Sequence, residues 1–257
     1  MLDPVFPSFD LTGRRALVTG ASRGIGQALA VGLARFGADV AVCARDPSAL
    51  KGTKAAIEET GNTAHAFPLD VRDVDAIAPA FAAAADRLGS LDILIANAGI
   101  EQVAPALDVT AELWDRIVDT NLKGAFFCAQ AGAFLMRGRG GAILTLCSLT
   151  SEVGVPTAVP YGSSKSGVAG MTRALATEWA PLGIRVNGLG PGYFRTDMTE
   201  PFYRDDAWQR AMLAKLPAGR FGALDDLIGA AVFLCSDAAR YVTGQVLYVD
   251  GGYLASI

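Results

Sequence analysis

The chain has 257 residues, with 22 Lys or Arg against 26 Asp or Glu, giving a formal net charge of −4. Hydrophobic residues make up 51% and charged residues 19%, which fills a substantial core and excludes a disordered chain. There is no basic run to neutralise phosphates and no apolar stretch of the ~18 residues a bilayer span requires, so neither nucleic acid nor a membrane is expected as a partner.

The longest apolar stretch, Ala76 to Ala85, contains Pro79 and is bracketed by Asp75 and Asp86. Residues 1–4 lack the basic-then-apolar layout of a secretory leader, so a cytoplasmic protein is expected. The sole histidine, His65, rules out a multi-histidine zinc centre, and no metal is expected. Cys43, Cys128, Cys147 and Cys235 form no Cys-x-x-Cys pair, as suits buried thiols in a reducing compartment.

In chain order, β-type and helical runs alternate. Arg15 to Thr19 reads as a strand, and Ile25, Leu29, Leu33 and Phe36 then recur at helical spacing up to Gly37. A second strand, Val40 to Ala44, leads into a helix ending near Thr60, and a third covers Ala64 to Leu69. Leu91 to Ala96, Ala142 to Leu146, Ile184 to Leu189 and Val246 to Val249 complete a set of seven. Long helices are expected over Ala111 to Met136 and Tyr161 to Trp179, with a shorter one over Asp225 to Cys235. Strands this uniformly apolar are buried on both faces, the mark of a parallel sheet between helices. The expected fold is therefore a single α/β domain over residues 1–257, a Rossmann-type doubly wound parallel sheet of about seven strands. The segment 193–222, rich in aromatics, Arg, Pro and Gly, reads as a substrate lid.

The first strand runs into Gly20, Ser22, Arg23, Gly24, Ile25 and Gly26, then a helix. Glycines permit a tight turn and close approach to a pyrophosphate, while a helix N-terminus offers free N–H groups, so this loop predicts dinucleotide binding. An acid at the end of the second strand would bind the ribose 2′-hydroxyl. Here the strand ends in Arg45, which with Arg23 suits a 2′-phosphate, so NADP(H) is the expected cofactor, with NAD(H) as the lesser possibility.

Tyr161 and Lys165 stand four apart and share a helix face. A nearby ammonium favours the phenolate, as does the positive charge of an oxidised nicotinamide, so together they predict a Tyr161 pKa below its usual value near 10 and a role in proton transfer. Ser148 follows the fifth strand, at the sheet edge where ligands bind, and is placed to polarise a carbonyl. Asn97, Ala98 and Gly99 follow the fourth strand at the same edge, and Asn121 interrupts a helical run.

Taken together these motifs resemble the short-chain dehydrogenase/reductase family over nearly the whole chain. The resemblance implies a catalytic tetrad of Asn121, Ser148, Tyr161 and Lys165, with Tyr161 as acid/base, Lys165 on the nicotinamide ribose and Asn121 keeping a relay water. It also implies cofactor contacts from Asp70 and Val71, from Asn97, Ala98 and Gly99, and from Pro191, Gly192, Phe194 and Thr196. Most members are tetramers or dimers, and Gln245 to Gly252 resembles their interface segment, so a homotetramer is expected.

The C-terminal third is most similar to the gluconate 5-dehydrogenase and 2-deoxygluconate dehydrogenase group. This implies NADP(H)-dependent interconversion of a secondary alcohol and a ketone on a small sugar acid or polyol. Reduction of 3-oxoacyl thioesters or general carbonyls is the alternative enzyme, and a dinucleotide-binding sensor the alternative outside catalysis. Candidate substrate contacts are Thr150, Glu152, Tyr193 and Phe202, with Glu101 and Gln102 nearby; Arg195, Arg204 and Arg210 are placed to pair with a carboxylate, and Tyr193, Phe202, Tyr203 and Trp208 suit equally an apolar pocket for an acyl or aromatic ketone or the packing of the lid onto the domain.

Overall fold

A computed structural model describes residues 7–257, and residues 1–4, read above for a leader, lie outside that range. The apolar runs form β1 (Arg15–Thr19), β2 (Asp39–Ala44), β3 (Ala64–Pro68), β4 (Ile93–Ala96), β5 (Gly141–Leu146), β6 (Ile184–Pro191) and β7 (Val246–Val249). They pair in the order β3-β2-β1-β4-β5-β6-β7, every pair parallel. The helices are α1 (Gly24–Arg35), α2 (Lys51–Glu58), α3 (Val74–Leu88), α4 (Ala111–Val118), α5 (Gly124–Met136), α6 (Val159–Trp179), α7 (Glu200–Tyr203), α8 (Asp206–Leu213) and α9 (Ile228–Cys235).

Alternate residues of each strand feed opposite faces. Val18, Val40 and Val42 pack with Leu29 and Leu33 of α1, Ile57 of α2 and Val232 of α9. Leu17, Ala41 and Leu94 pack with Phe81 of α3, Cys128 of α5 and Trp179 of α6. Each large side chain fully buried here contributes ~1.5–3 kcal/mol, which is why seven short strands hold a single sheet.

The structure departs from the sequence expectations at three places. The apolar stretch with Pro79, left without an element, is α3: Ile77, Phe81, Ala84 and Leu88 form a buried stripe, Asp73 caps its start and Gly89 at φ 84° ends it. Packing along that stripe outweighs the hydrogen bond the proline removes. The helix expected over Ala111 to Met136 is split by a π-helical turn, Asp119–Lys123, between α4 and α5. The helix expected from Asp225 begins as α9 only at Ile228, because Asp226 is drawn into an ion pair with Arg220 and accepts the Ala223 N–H.

β1 and β4 are neighbours in the sheet but their chains leave in opposite directions, which opens a crevice beyond their carboxyl ends. Segment 193–222 leaves and rejoins the body through a parallel bridge between Phe194 and Gly222 and carries α7 and α8 above that crevice.

Candidate active site

The crevice is a cavity of about 820 Å³. Its floor is the glycine loop, and two glycines there are sterically obligatory. Gly20 sits at φ +65°, and a Cβ on it would lie 2.7 Å from Ala98 Cα. A Cβ on Gly26 would lie 2.4 Å from both the Gly20 carbonyl oxygen and Asn97 Nδ2. Asn97 Nδ2 donates to the carbonyls of Thr19 (2.9 Å) and Gly20 (3.0 Å), while Thr19 Oγ1 accepts the N–H groups of Asn97 and Ala98. The turn after β4 is thus stitched to the loop after β1.

Ser22, Arg23, Gly24 and Ile25 line the cavity with Gly20 and Gly26, and no side chain among the described residues caps the N-terminus of α1. Backbone N–H groups at that end are free for an anion, so the loop fits a dinucleotide pyrophosphate.

At the end of β2, Arg45 lines the cavity. Asp46 does too, but its carboxylate accepts the Ser48 N–H at 2.8 Å and caps the following turn, which holds it below the usual carboxylate range. Asp70 and Val71 lie alongside, and Asp70 is already bound to the Arg72 guanidinium at 2.6 Å. Arg23 makes an exposed ion pair with Asp197 of the overhanging segment at 3.4 Å. Arg45 has no carboxylate ion-pair partner among the described residues, and such a guanidinium suits a 2′-phosphate better than a 2′-hydroxyl.

At the opposite end the cavity reaches Ser148, Tyr161 and Lys165, with Gly99, Pro191 and Gly192, and Phe194 and Thr196 beneath the overhang. Lys165 is buried and donates to the Leu146 carbonyl at 2.7 Å, and its Nζ lies 5.6 Å from the centroid of the Tyr161 ring. Ser148 Oγ accepts the Thr150 N–H at 3.2 Å, which leaves its own proton to donate.

Asn121 does not line the cavity. Inside the π turn its Oδ1 accepts the Ile100 N–H at 2.8 Å and its Nδ2 donates to the Ile100 carbonyl at 2.9 Å and to Ser164 Oγ at 3.2 Å. The extra residue of the π turn aims this side chain off the regular helix, and the double clamp holds the chain just before Glu101.

Among the protein's own groups, the electrostatics run against the pull expected of the ammonium. Burial, reinforced by the Glu101 carboxylate, pushes the Tyr161 phenol above its ordinary range, against a weaker effect of its hydrogen bond with Ser148. Burial also pulls Lys165 down, to about 8. The spacing correctly brought phenol and ammonium together, but both sit in a medium that disfavours charge, and Glu101 adds a negative one.

Of the substrate candidates, Thr150, Tyr193 and Phe202 line the cavity. Glu152 does not: the short turn Leu149–Ser151 carries it outward, where it is exposed and accepts the Tyr248 hydroxyl at 2.7 Å. The arginines expected to meet a carboxylate are absent from the cavity wall as well. Arg195 forks onto Glu200 at 2.7 and 2.8 Å, and Arg204 approaches the same carboxylate at 3.7 Å. Glu200, within five residues of both, captured Arg195 and Arg204, and Arg210 on α8 simply lies off the wall.

Residues 20–254 match the enoyl-(acyl carrier protein) reductase family model. The chain is 44% identical to gluconate 5-dehydrogenase of Gluconobacter oxydans (strain 621H), covering 97% of this chain and 98% of that one. The chain belongs to the short-chain dehydrogenase/reductase family. As a short-chain dehydrogenase/reductase it is an NAD(P)-dependent oxidoreductase acting on CH–OH groups. Two crystal structures superpose closely. One is a short-chain alcohol dehydrogenase from Sinorhizobium meliloti 1021, with TM-score 0.96 and 63% identity, covering 98% of this chain and 100% of that one. The other is a gluconate 5-dehydrogenase from Burkholderia cenocepacia J2315 in complex with NADP and tartrate, with TM-score 0.94 and 39% identity, covering 97% of this chain and 98% of that one.

One feature of this short-chain dehydrogenase/reductase had no local sequence signal. Thr157 lines the cavity at φ 67°, a left-handed conformation that is strained for a β-branched residue. Tyr203 and Trp208 line it from the overhang, held in an aromatic cluster with Tyr193 and Phe221. Their aromatic character was visible in the sequence, but nothing in the spacing of segment 193–222 says which rings face inward.

Proposed function

We propose that this enzyme interconverts a secondary alcohol and a ketone on a small sugar acid or polyol, with NADP(H) as cofactor. The single observation that carries this reading is that one continuous cavity joins the glycine cradle and Arg45 to Ser148, Tyr161 and Lys165. The likeness to gluconate 5-dehydrogenases, one of them crystallised with NADP and tartrate, supports the sugar-acid class. The 3-oxoacyl reductase alternative has less support, with such relatives at 39% identity over 93% of the chain.

The cofactor's pyrophosphate would rest on Gly20, Ser22, Gly24, Ile25 and Gly26, its 2′-phosphate on Arg23 and Arg45, and its adenine beside Asp70 and Val71. Asn97, Ala98, Gly99, Pro191, Gly192, Phe194 and Thr196 would hold the nicotinamide half. When bound, its nicotinamide supplies or accepts the hydride. Tyr161 moves the proton at the substrate oxygen. Because burial and Glu101 keep the phenol protonated at neutral pH, it is set up as the acid for ketone reduction, and alcohol oxidation benefits from alkaline conditions. Ser148 donates its free hydroxyl proton to the same oxygen. Lys165 holds the nicotinamide ribose and is itself held by Leu146, while Asn121, set back from the cavity, steadies the chain at Ile100.

Segment 193–222 is the substrate lid of a single domain, and Thr150, Tyr193 and Phe202 are the substrate contacts within it and beneath it. A homotetrameric, cytoplasmic enzyme is the reading that fits best. It is supported by edge strand β7 with half-exposed Leu247, by exposed Phe134 and Trp114, by four buried free thiols, and by the lack of a helix fit to cross a membrane among the described residues.

The test is a nicotinamide-absorbance screen of aldonic acids, polyols, cyclic ketones and 3-oxoacyl esters with both cofactors, run beside Tyr161→Phe. That variant is expected to lose ~10²–10⁴-fold in kcat with NADPH affinity retained. Near-normal turnover would remove the acid/base assignment.

A further inference from the structure

Glu101 stands on the wall of the main cavity with Tyr161 and Lys165. It is half-buried, and among the described residues its carboxylate has no hydrogen-bond or ion-pair partner. Its oxygens are not sealed off either: the buried, unpartnered side-chain oxygens belong to Ser90, Thr150 and Tyr203, so those of Glu101 reach open space. Its negative charge is felt by both Tyr161 and Lys165, which puts the side chain at the reacting end of the cavity. The backbone beneath it is fixed. Asn121 clamps the N–H and carbonyl of Ile100 at 2.8 and 2.9 Å, and a Cβ on Gly99 would lie 3.7 Å from Lys165 Nζ. The Ala104 N–H donates to the Thr157 carbonyl at 2.9 Å, on the loop that leads into α6. Arg116, also on the wall, donates to the side-chain carbonyl of Gln102.

An ionised carboxylate only accepts hydrogen bonds, and one held partly out of water without a donor is costly. The reacting oxygen does not satisfy it, because that oxygen is engaged by Tyr161 and Ser148. The missing donor has to come from the rest of the substrate, at the carbon beside the reacting one. A hydroxyl there supplies it, a hydrogen does not, and a carboxylate there is repelled. We propose that Glu101 determines specificity: its carboxylate accepts the hydroxyl carried by the carbon next to the reacting one and keeps an acid group off that carbon. A sugar acid therefore enters with its carboxylate remote from Tyr161. This rests on the sugar-acid or polyol reading above and adds the residue that selects the neighbouring hydroxyl.

The test compares wild type with Glu101→Gln and Glu101→Leu in the NADPH-dependent reduction of acetoin, butan-2-one and pyruvate. Acetoin carries the neighbouring hydroxyl, butan-2-one lacks it, and pyruvate has a carboxylate in its place. Loss of a charge-assisted hydrogen bond predicts that the acetoin-to-butan-2-one ratio of kcat/KM falls ~10- to 100-fold in Glu101→Leu. The fall should be smaller in Glu101→Gln, whose amide carbonyl still accepts, and the pyruvate-to-butan-2-one ratio should rise in both. Any effect of Glu101 on the Tyr161 phenol is common to the three ketones and cancels in these ratios. Thermal melts and NADPH titration check the fold, and the nearly isosteric Glu101→Gln carries the test if Glu101→Leu fails to fold. A uniform change across the three ketones, an unchanged acetoin or pyruvate ratio, or a wild type with no preference for acetoin overturns the inference and leaves the reading standing. Failure of every aldonic acid and polyol with wild type overturns the reading first, and the inference with it, before any variant is made.

Discussion

Replacing Lys165 by Met should stabilise the fold near neutral pH while abolishing turnover. Lys165 is fully buried, and burial lowers its pKa from an ordinary 10.5 to about 8. The fold therefore penalises the ammonium by about 3 kcal/mol, at ~1.36 kcal/mol for each tenfold change in proton affinity. Below pH 8 the folded and unfolded chains both carry the charge and the penalty is felt in full. Between pH 8 and 10.5 the folded protein sheds the proton first, and the penalty fades.

Met fills similar volume without charge but leaves the Leu146 carbonyl unpartnered, a loss of ~1 kcal/mol. The net gain of ~2 kcal/mol corresponds to a melting temperature raised by ~4–8 °C at about pH 6.5 in a domain of this size. By about pH 10.5 the order should reverse. Of the facing groups, the Tyr161 phenol and the Cys147 thiol are both pushed upward by burial, while Glu101, raised by burial, loses in the variant the ammonium that pulls it down, so it stays protonated to higher pH there. Thermal melts of the two proteins across this range are the assay. A variant that melts lower than wild type at about pH 6.5, or a difference independent of pH, would refute the burial argument.

Arg45→Asp should lower the NADPH-to-NADH ratio of kcat/KM by ~10- to 100-fold or more, the value of a charge-assisted hydrogen bond, and an unchanged ratio places the 2′-phosphate elsewhere. Gly26→Ala inserts a methyl 2.4 Å from Gly20 O and Asn97 Nδ2. The resulting overpacking costs ~1–3 kcal/mol, so a melting temperature lowered by ~3–10 °C and a weaker NADPH Kd are expected, with a normal Kd by titration counting against the cradle. Asn121→Leu strips the clamp from Ile100 and leaves its N–H and carbonyl unpaired, so a loss of ~2–4 kcal/mol should appear as a lower urea midpoint. Ketone reduction should stay level through neutrality while alcohol oxidation climbs with pH, because the Tyr161 phenol holds its proton. A pH–rate profile with oxidation falling above neutrality contradicts that.

Much of this protein is legible locally. The run Arg15–Thr19 marks its strand to the residue, since burial on both faces demands continuous apolar sequence, and Val246–Val249 marks the half-buried edge strand by the same apolar continuity. The cradle is legible for a similar reason: only glycine tolerates the approach of Ala98 to Gly20, so the requirement is written into residue identity. Helix α3 was obscured because its proline argues against a helix locally, and the stripe that rescues it acquires meaning only against the sheet. The π turn at Asn121 likewise has no periodic signature of its own.

Residue types and their spacing were enough to establish a doubly wound sheet, a dinucleotide loop and a tyrosine within reach of a lysine, because these depend on interactions along one or two neighbouring elements. Which groups share a dielectric and a wall was decided by chain folding alone. Glu101 raising the Tyr161 phenol, Glu152 turned out to Tyr248 and the Asn121 clamp on Ile100 all join segments far apart in the chain. Electrostatic energy depends on distance and burial, and neither quantity exists until the chain has closed on itself.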